Sequence, residues 1–385
     1  MKTLIYLDYA ATTPMSKQVL EAYIHTAKNY FHNTESLHDC GQNAKDLLEH
    51  ARTRMAELLG LEARGIYFTG GGSDGNFLAL TSLVLGSQHK GKHILSSNIE
   101  HPSVDYTLDY LERNGFEITK VPVNHSGVIT IEEIKKHIRP DTILATIQHV
   151  NSETGALQDI ERLGDFLNYT GVLFHSDCVQ SFTKMEVSHL KSSNLDSFTL
   201  SAHKIFGPKG TGAVYISPKL HISPILSNVT HEQGFRAGTV DLPSVVAFVT
   251  AASDAVNAQP SHYKHVSGMR NLFTSLILKN KNIIIEDTLK SSPYILPIRI
   301  KGIEGQIIMQ ELNRLQISVS TGSACQNGQQ SPSKALLALG RTDSEAHGLV
   351  RISFSHLTKE KDIYDLYEAL NKITNKLLSV RGVPS

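Results

Sequence analysis

The sequence of 385 residues has few cysteines, no excess of either charge and no long hydrophobic segment. Its three cysteines, Cys40, Cys178 and Cys325, are odd in number and widely spaced, which argues against a disulfide framework and for a reducing compartment. Because 37 basic residues balance 37 acidic ones, no overall basic field favours direct binding of nucleic acid or of an anionic membrane.

Other absences narrow the class of protein further. No apolar run approaches the roughly 18 residues that span a bilayer, and Asp8 follows the first apolar residues too soon for a secretory signal. None of the 19 histidines shows a metal-ligand spacing. We therefore expect a cytoplasmic protein that has no membrane segment and no metal site.

Short apolar segments alternate with helical segments over the first 250 residues. The pattern predicts strands at residues 66–69, 93–96, 116–121, 143–150, 172–176, 195–200 and 213–216. Such alternation is typical of an α/β fold with a mainly parallel central sheet and helices on both faces. Ligands of these sheets bind at the carboxyl ends of the strands.

The composition changes after about residue 247. Residues 251–265 are rich in Ala, Ser, Asn and Gln and could join two domains. Strands and helices predicted beyond them indicate a smaller α+β unit. We predict a large α/β domain over residues 15–250 and a small α+β domain formed by residues 1–14 and 251–385.

Lys204 follows one of the predicted strands, and the glycine and proline after it stop any helix. It lies beside Ser201 and His203, whose side chains can hold a phosphate. A lysine in this setting suits a Schiff base with pyridoxal phosphate. A solvated loop lysine is the ordinary alternative.

A glycine-rich turn opens a helix after the strand at residues 66–69. Its Gly70-x-Gly72-x-x-Gly75 spacing formally matches the dinucleotide fingerprint. However, the next strand ends without the acidic residue that a nicotinamide cofactor needs. The same turn can hold a single phosphate through the amides of Gly72 and Ser73, or be a purely structural helix start.

Two further strands deliver polar side chains at their carboxyl ends. Asp177 can pair with a pyridine nitrogen and keep it protonated, and Gln180 can donate to the phenolic oxygen of the ring. His101 can stack on a planar ring and shuttle protons. A helix N-cap for Asp177 and a structural histidine at position 101 remain open.

Cys325 lies in residues 320–332, which are mostly small or polar and predict an exposed, mobile loop. Such a loop suits a nucleophile that moves between a pocket and a partner, whereas Cys40 and Cys178 fit core or incidental roles better. Arg351, on a strand of the small domain, can clamp a substrate carboxylate.

Together these motifs closely resemble the cysteine desulfurases of the class V pyridoxal-phosphate aminotransferase superfamily, in the group with a long cysteine loop. The resemblance runs nearly end to end. The matching motifs are Tyr6-Leu7-Asp8-Tyr9-Ala10-Ala11-Thr12-Thr13-Pro14, Glu100-His101, Asp177 with Gln180, Ser201-Ala202-His203-Lys204, Arg236-Ala237-Gly238-Thr239, Gly322-Ser323-Ala324-Cys325 and the strand of Arg351.

The resemblance implies a PLP-dependent transferase of aminotransferase fold type I and a homodimer with shared active sites. Lys204 would bind the cofactor covalently, with Gly72, Ser73, Ser201 and His203 at its phosphate. Thr239 would reach the phosphate of the opposite subunit. The remaining implied roles are ring stacking for His101, ring contacts for Ser152, Asp177 and Gln180, and the substrate carboxylate for Asn33 and Arg351.

Two motifs depart from the family pattern. The family's Ser-Gly-Ala-Thr-Glu-Ser-Asp-Asn phosphate turn is glycine-rich at residues 70–77, and its threonine hydroxyl is replaced by that of Ser73. The family's second asparagine, expected at the ring oxygen, is the shorter Ser152.

The resulting hypothesis is conversion of L-cysteine to L-alanine, with sulfur held as a persulfide on Cys325 and passed to an acceptor protein. An iron-sulfur scaffold, a tRNA-thiolating enzyme and a thiamine pathway carrier remain open as acceptors. The alternatives are another reaction of the superfamily, such as transamination or epimerisation, and an inactive sulfur-relay partner.

Overall fold

A computed structural model describes residues 4–286, 290–322 and 331–380. The strands are β1 (Ile5–Tyr6), β2 (Ile66–Thr69), β3 (His93–Ser97), β4 (Glu117–Val121), β5 (Thr142–Thr146), β6 (Leu173–Asp177), β7 (Ser197–Ser201), β8 (Gly212–Ile216), β9 (Ile283–Ile285), β10 (Ile295–Ile300), β11 (Ile317–Ser318) and β12 (Leu349–Ser353). The helices are α1 (Lys17–Asn29), α2 (Asp39–Leu59), α3 (Gly72–Ser87), α4 (Pro102–Arg113), α5 (Ile131–His137), α6 (Ile160–Thr170), α7 (Ser188–Ser192), α8 (Leu242–Ile277), α9 (Gly305–Arg314), α10 (Lys334–Ala338), α11 (Asp343–His347) and α12 (Glu360–Val380).

The central sheet has the strand order β2-β8-β7-β6-β5-β3-β4. Only β8 runs against its neighbours in this sheet, so the predicted mainly parallel sheet is confirmed. Every residue of β2, β3, β5, β7 and β8 is buried, as expected for strands covered by helices on both faces. The parallel strands bring their carboxyl ends to one edge.

The glycine-rich turn permits close packing of α3 on the sheet. A Cβ atom on Gly75 would lie 2.7 Å from Thr199 Cγ2, and Gly71 has a φ of +127°, a conformation that side-chain-bearing residues rarely adopt. A side chain at position 75 would clash with β7, and a side chain at position 71 would strain the backbone. The amino end of α3 is held against β7 beside the edge where the parallel strands end.

A second core lies over a smaller antiparallel sheet of order β12-β10-β9. The N-terminal strand β1 pairs with β11, and Leu7 and Ala10 are buried in this second core. Residues 251–265, which the composition suggested as a join between domains, lie inside the continuous helix α8. The domain boundary at residue 250 stays a prediction, but a helix rather than an irregular linker crosses it.

None of the helices in the described ranges combines the length and the apolar composition that crossing a lipid bilayer requires.

Candidate active site

A cavity of about 180 Å³ opens at the carboxyl edge of the central sheet. Nearly all of the predicted cofactor residues line it, and the ends of several different strands bring them there. In chain order the predicted residues in its wall are Gly72, Ser73, His101, Ser152, Asp177, Gln180, Ser201, His203, Lys204 and Arg351. The sheet topology therefore gathers side chains that are nearly 280 residues apart in the sequence.

Lys204 follows β7 through a short 3-10 turn, which turns its side chain into the cavity. Its Nζ donates to the carbonyl oxygens of Ala10 and Ala11 at 2.6 and 2.7 Å. The segment after β1 thus forms the wall that faces the lysine. An amine held by two carbonyls at the cavity wall is positioned to react with an aldehyde bound there.

Asp177 ends β6 as a buried carboxylate fixed on both oxygens. The side-chain amide of Asn76 donates to Oδ2 at 2.8 Å, and the backbone N–H of Val179 donates to Oδ1 at 2.9 Å. No arginine or lysine pairs with it in the described part of the chain. Its charge is therefore available to a protonated ring nitrogen.

The opposite end of the cavity suits a phosphate. The amino end of α3 begins at Gly72, where a Cβ atom would lie 2.9 Å from Val179 Cγ2 and fill the space. The buried Ser201 Oγ has no hydrogen-bond partner among the described residues. Burial is the main cause that lowers the pKa of His203 to about 4, so its ring is neutral near pH 7. This set of donors fits the phosphate of pyridoxal phosphate.

His101 makes a structural contact and also faces the cavity. It is the N-cap of α4, where Nδ1 accepts from the Ser103 backbone N–H at 3.2 Å, and it also lines the cavity. Burial lowers its pKa, although the nearby Asp177 opposes that shift. A neutral ring that accepts at Nδ1 carries its proton on Nε2.

Arg351 reaches the cavity from β12 and is only 3% exposed. Its Nη2 donates to Asp8 Oδ1 at 2.8 Å and its Nη1 donates to the Ser152 carbonyl at 2.9 Å. Its Nε has no hydrogen-bond partner among the described residues. The guanidinium is thus fixed at two corners, with one buried N–H left for a ligand.

Three predicted residues are not part of this cavity wall. Thr239 and Asn33 are exposed, and the Asn33 side chain accepts from the Glu35 backbone N–H within its own loop at 2.9 Å. Cys325 lies outside the described residues. No three His, Cys, Asp or Glu side chains within the described ranges are grouped so that they can hold a metal ion.

The other two cysteines differ in their surroundings. Burial raises the pKa of the Cys178 thiol to about 12, so little thiolate forms there near pH 7. Cys40 is exposed on the first turn of α2 and does not line the cavity. Neither is placed to act as a nucleophile in the cavity.

Sequence reasoning missed three residues that organise the site. Asn76 holds Asp177, Asp8 holds Arg351, and Lys184 donates to Gln180. The spacing of Lys184 four residues after Gln180 was the one available signal, because such residues share a face if the segment turns helically. The other two contacts join positions 101 and 343 residues apart, and no local pattern marks them.

The comparisons with known proteins agree with this geometry. The model of the aminotransferase class-V family matches residues 5–366. The chain is 41% identical over 363 residues to a putative cysteine desulfurase NifS of Bacillus subtilis (strain 168), which covers 93% of this chain and 92% of that protein. It is 35% identical over 383 residues to cysteine desulfurase IscS of Buchnera aphidicola subsp. Acyrthosiphon pisum (strain 5A), covering 98% and 94% of the two chains.

Solved structures show the same fold. A structure titled as a NifS-like protein superimposes with a TM-score of 0.89 at 30% identity, covering 97% of this chain and 99% of that one. A structure titled "SspA in complex with cysteine" has a TM-score of 0.79 at 30% identity, covering 91% and 99%. The chain belongs to the class V aminotransferase family, which has the pyridoxal-phosphate fold of type I, and within it to the cysteine desulfurases, whose cofactor is pyridoxal 5'-phosphate.

Proposed function

We propose that this protein converts L-cysteine to L-alanine and carries the released sulfur as a persulfide on Cys325. The observation that carries this proposal is the anchoring of the cysteine segment beside the cavity. Ser320 exchanges two backbone hydrogen bonds with Arg351, at 2.7 and 3.2 Å. On the other side of the segment, Ser333 Oγ donates to the carboxylate of Glu153. Glu153 is the residue next to Ser152, which lines the cavity.

Chain geometry limits how far the thiol can lie from the substrate site. Cys325 is five residues beyond Ser320, and five residues span at most about 17 Å. Since Ser320 is paired with the backbone of the cavity residue Arg351, this length of chain is enough for Cys325 to reach a substrate held by that guanidinium. Cys40 does not line the cavity, and Cys178, although it lies between the wall residues Asp177 and Val179, is fully buried with a raised thiol pKa.

Substrate binding is assigned to the cationic corner of the cavity. Arg351 binds the carboxylate of L-cysteine through its unpartnered Nε and a neighbouring N–H. The proposal keeps Asn33 as a second carboxylate contact, although its loop does not line the cavity within this single chain. A conformational change or the partner subunit would have to complete that contact.

Proton transfers are assigned to Lys204 and His101. When bound, pyridoxal phosphate supplies an electron sink that stabilises negative charge at the substrate Cα. The amine of Lys204, which would hold the cofactor, would in its free form remove the Cα proton. His101 carries a proton on Nε2 and exchanges it at the leaving sulfur, while Asp177 maintains the positive charge of the ring nitrogen.

The sulfur step needs no external oxidant. The Cys325 thiolate attacks the substrate sulfur, forming an S–S bond as the Cβ–S bond breaks, and the electron pair stays with Cβ. Protonation of that carbon yields the methyl group of L-alanine. The substrate Cβ gains two electrons, and the two sulfurs together lose two electrons as they form the persulfide. The oxidation and the reduction therefore balance.

The proposal includes a homodimer with shared sites. Arg236 donates to Asp74 Oδ2 at 2.9 Å, and the same oxygen accepts from the Gly70 N–H at 2.6 Å, so the segment leading to Thr239 is tied to the phosphate turn. Thr239 itself is exposed and lies outside the cavity of its own chain. In the proposed dimer, the Thr239 hydroxyl contacts the phosphate in the other subunit's cavity.

Mixed dimers test the shared site. Lys204→Ala and Thr239→Val each impair a homodimer, but a mixed dimer contains one site with both native residues if Thr239 acts across the interface. We expect recovery of tight cofactor binding in about half of the sites. Absence of recovery would assign Thr239 to its own subunit or to no site.

We place the protein in the cytoplasm and assign the sulfur to an acceptor protein of iron-sulfur assembly or of tRNA or cofactor thiolation. Persulfide transfer from radiolabelled L-cysteine to purified candidate acceptors distinguishes these partners.

The experiment that tests the activity compares alanine release by the parent protein and by Cys325→Ala. We expect Cys325→Ala to bind cofactor normally and to release almost no alanine, with Cys40→Ala as the active control. Lys204→Ala should lose the absorbance band of the lysine-bound cofactor. A parent protein that binds no cofactor would favour the inactive relay partner, and alanine release that is unaffected in Cys325→Ala would favour another reaction of the superfamily.

A further inference from the structure

We propose that Lys184 is a positioning residue, which fixes the side-chain amide of Gln180 so that its N–H groups face the cofactor. This inference rests on the role given to Gln180 in the proposed function. Lys184 does not line the cofactor cavity and lies one side chain behind it. It acts through Gln180 and makes no contact with cofactor or substrate.

The geometry defines which end of the amide faces Lys184. The Lys184 Nζ donates to Gln180 Oε1 at 2.9 Å, and Gln180 Nε2 donates to the Ala10 carbonyl at 2.8 Å. The Lys184 amine has N–H donors whether it is protonated or neutral, and the amide atom that faces it is the acceptor oxygen. The amide nitrogen is thereby directed away from Lys184, toward the wall that Ala10 forms.

The same wall connects Gln180 to the reactive amine. The Ala10 carbonyl accepts from Gln180 Nε2 and from Lys204 Nζ, the latter at 2.6 Å. A chain of hydrogen bonds therefore runs from Lys184 through Gln180 and Ala10 to Lys204. Any change in the orientation of the Gln180 amide alters a contact of the cofactor lysine as well as the donor offered to the ring.

Lys184 is in an unfavourable place for an ordinary lysine. Its residue is 8% exposed, and no carboxylate pairs with it in the part of the chain that the structure describes. Burial, with the charges of Lys204 and Arg351 as smaller causes, lowers its pKa to about 7. A buried amine without a counter-ion destabilises a fold. We infer that Lys184 serves to orient Gln180 through its directed hydrogen bond.

The turn after β6 places the two side chains together. The Phe182 N–H donates to the Cys178 carbonyl and the Lys184 N–H donates to the Ser181 carbonyl, so the segment winds through successive turns. Thr183 has a φ of +59°, and these turns, which are not a regular helix, bring the Lys184 amine back to the Gln180 side chain. The Tyr294 ring lies 5.9 Å from Lys184 Nζ and confines the amine from the side of the smaller sheet. The Lys184 amine is therefore held between the Tyr294 ring and the Gln180 amide oxygen.

Without Lys184 only the Ala10 carbonyl orients the Gln180 amide, so a half-turn rotation becomes less costly, because the terminal torsion of a glutamine is broad and roughly two-fold. Its oxygen would then face the phenolic oxygen of the cofactor ring, and two acceptors repel each other. We therefore expect weaker cofactor binding and a displaced absorbance band, with a fold that remains intact.

Titration of cofactor-free protein with pyridoxal phosphate tests this inference. We expect Lys184→Met to weaken binding by about 3- to 10-fold, the loss of one oriented hydrogen bond, and Lys184→Arg to restore most of the affinity and the position of the band. Lys17→Met is the matched control, since this exposed lysine carries the same charge beside a neighbouring cavity and makes no bond to Gln180. Circular dichroism and thermal unfolding of each variant verify folding.

The Gln180→Ala background separates the two proposals. Gln180→Ala alone should weaken cofactor binding, and adding Lys184→Met should then change it less than 2-fold. An equal loss from Lys184→Met in both backgrounds would overturn the positioning role while leaving the role of Gln180 intact. Unchanged binding in Gln180→Ala would overturn the role of Gln180 itself.

Discussion

The buried Arg351 and the partly buried Asp8 form an ion pair at 2.8 Å that joins β12 to the segment after β1. The two residues are 343 positions apart, and the guanidinium reaches the cofactor cavity from this pair. A carboxylate therefore fixes the cation that the proposed function assigns to the substrate. The orientation of this guanidinium therefore depends on the N-terminal segment.

We expect Asp8→Asn to raise the KM for L-cysteine about 10-fold, because Arg351 loses the charge that fixes its plane. Cofactor affinity should change little, since Asp8 is not in the cavity wall. Steady-state kinetics and a cofactor titration measure the two effects. Glu117→Gln is the control, because it removes one carboxylate from an exposed pair with Arg139. An unchanged KM would show that Asp8 does not position Arg351.

Asn76→Ala should weaken pyridoxal phosphate binding about 10-fold, because Asp177 loses the buried amide that donates to it at 2.8 Å. Gln42→Ala removes an exposed amide that donates to Asp46 and should leave binding unchanged. Equal affinities for parent and Asn76→Ala would mean that Asp177 needs no orientation by this amide.

Ser201→Ala should have opposite effects on stability and on binding. The buried hydroxyl has no partner among the described residues, so removing it should stabilise the cofactor-free protein or leave it unchanged. The same change should weaken pyridoxal phosphate binding several-fold because a phosphate donor is lost. Ser82→Ala, another buried hydroxyl without a described partner, should reproduce the first effect alone. Destabilisation of the cofactor-free protein by Ser201→Ala would contradict the assignment.

Glu232→Gln should lower the free energy of unfolding by roughly 3 kcal/mol, because Arg52 loses its buried counter-charge and keeps only the half-exposed Glu49 as an ionic partner. Glu62→Gln breaks an exposed pair with Arg64 and should cost less than about 1 kcal/mol. Denaturant unfolding of both variants measures the contrast. Similar small losses would show that the buried pair contributes little.

Glu100 gives a pH dependence of defined sign. Burial raises the pKa of its carboxyl from 4.5 to about 8, so the folded state holds a proton that the unfolded state releases above pH 4.5. Its contribution to stability is complete at low pH and is lost as the pH rises toward 8. The stability of Glu100→Gln relative to the parent should therefore increase from about pH 5 to pH 8. A constant difference across that range would exclude a raised pKa.

The sequence was sufficient to predict the central sheet and most of the cavity. Strand ends such as Asp177 and Lys204 are visible because an apolar strand, a polar residue and a turn follow one another within a few positions. Parallel strands place those ends at one edge, so local patterns were enough to predict a shared site. Residues that follow four or more different strands could therefore be assigned to one site from the sequence.

The residues that orient the site could not be predicted in this way. Asp8 and Asn76 act through single long-range contacts, and Lys184 has the sequence context of a surface lysine but is buried by Tyr294 from the smaller sheet. The segment 251–265 was predicted to join two domains because of its polar composition, yet it lies inside α8, a helix that contacts α1, α2 and α12. Tertiary contacts decide these positions, and local composition does not report them.

The central claim is that Cys325 receives sulfur from L-cysteine, and mass spectrometry of the peptide that contains Cys325 tests it most directly. After incubation of the cofactor-loaded protein with L-cysteine and alkylation, we expect this peptide to carry one additional sulfur atom, with a matching amount of L-alanine released. The peptides of Cys40 and Cys178 should carry none. An unmodified Cys325 peptide during full alanine production would contradict the account.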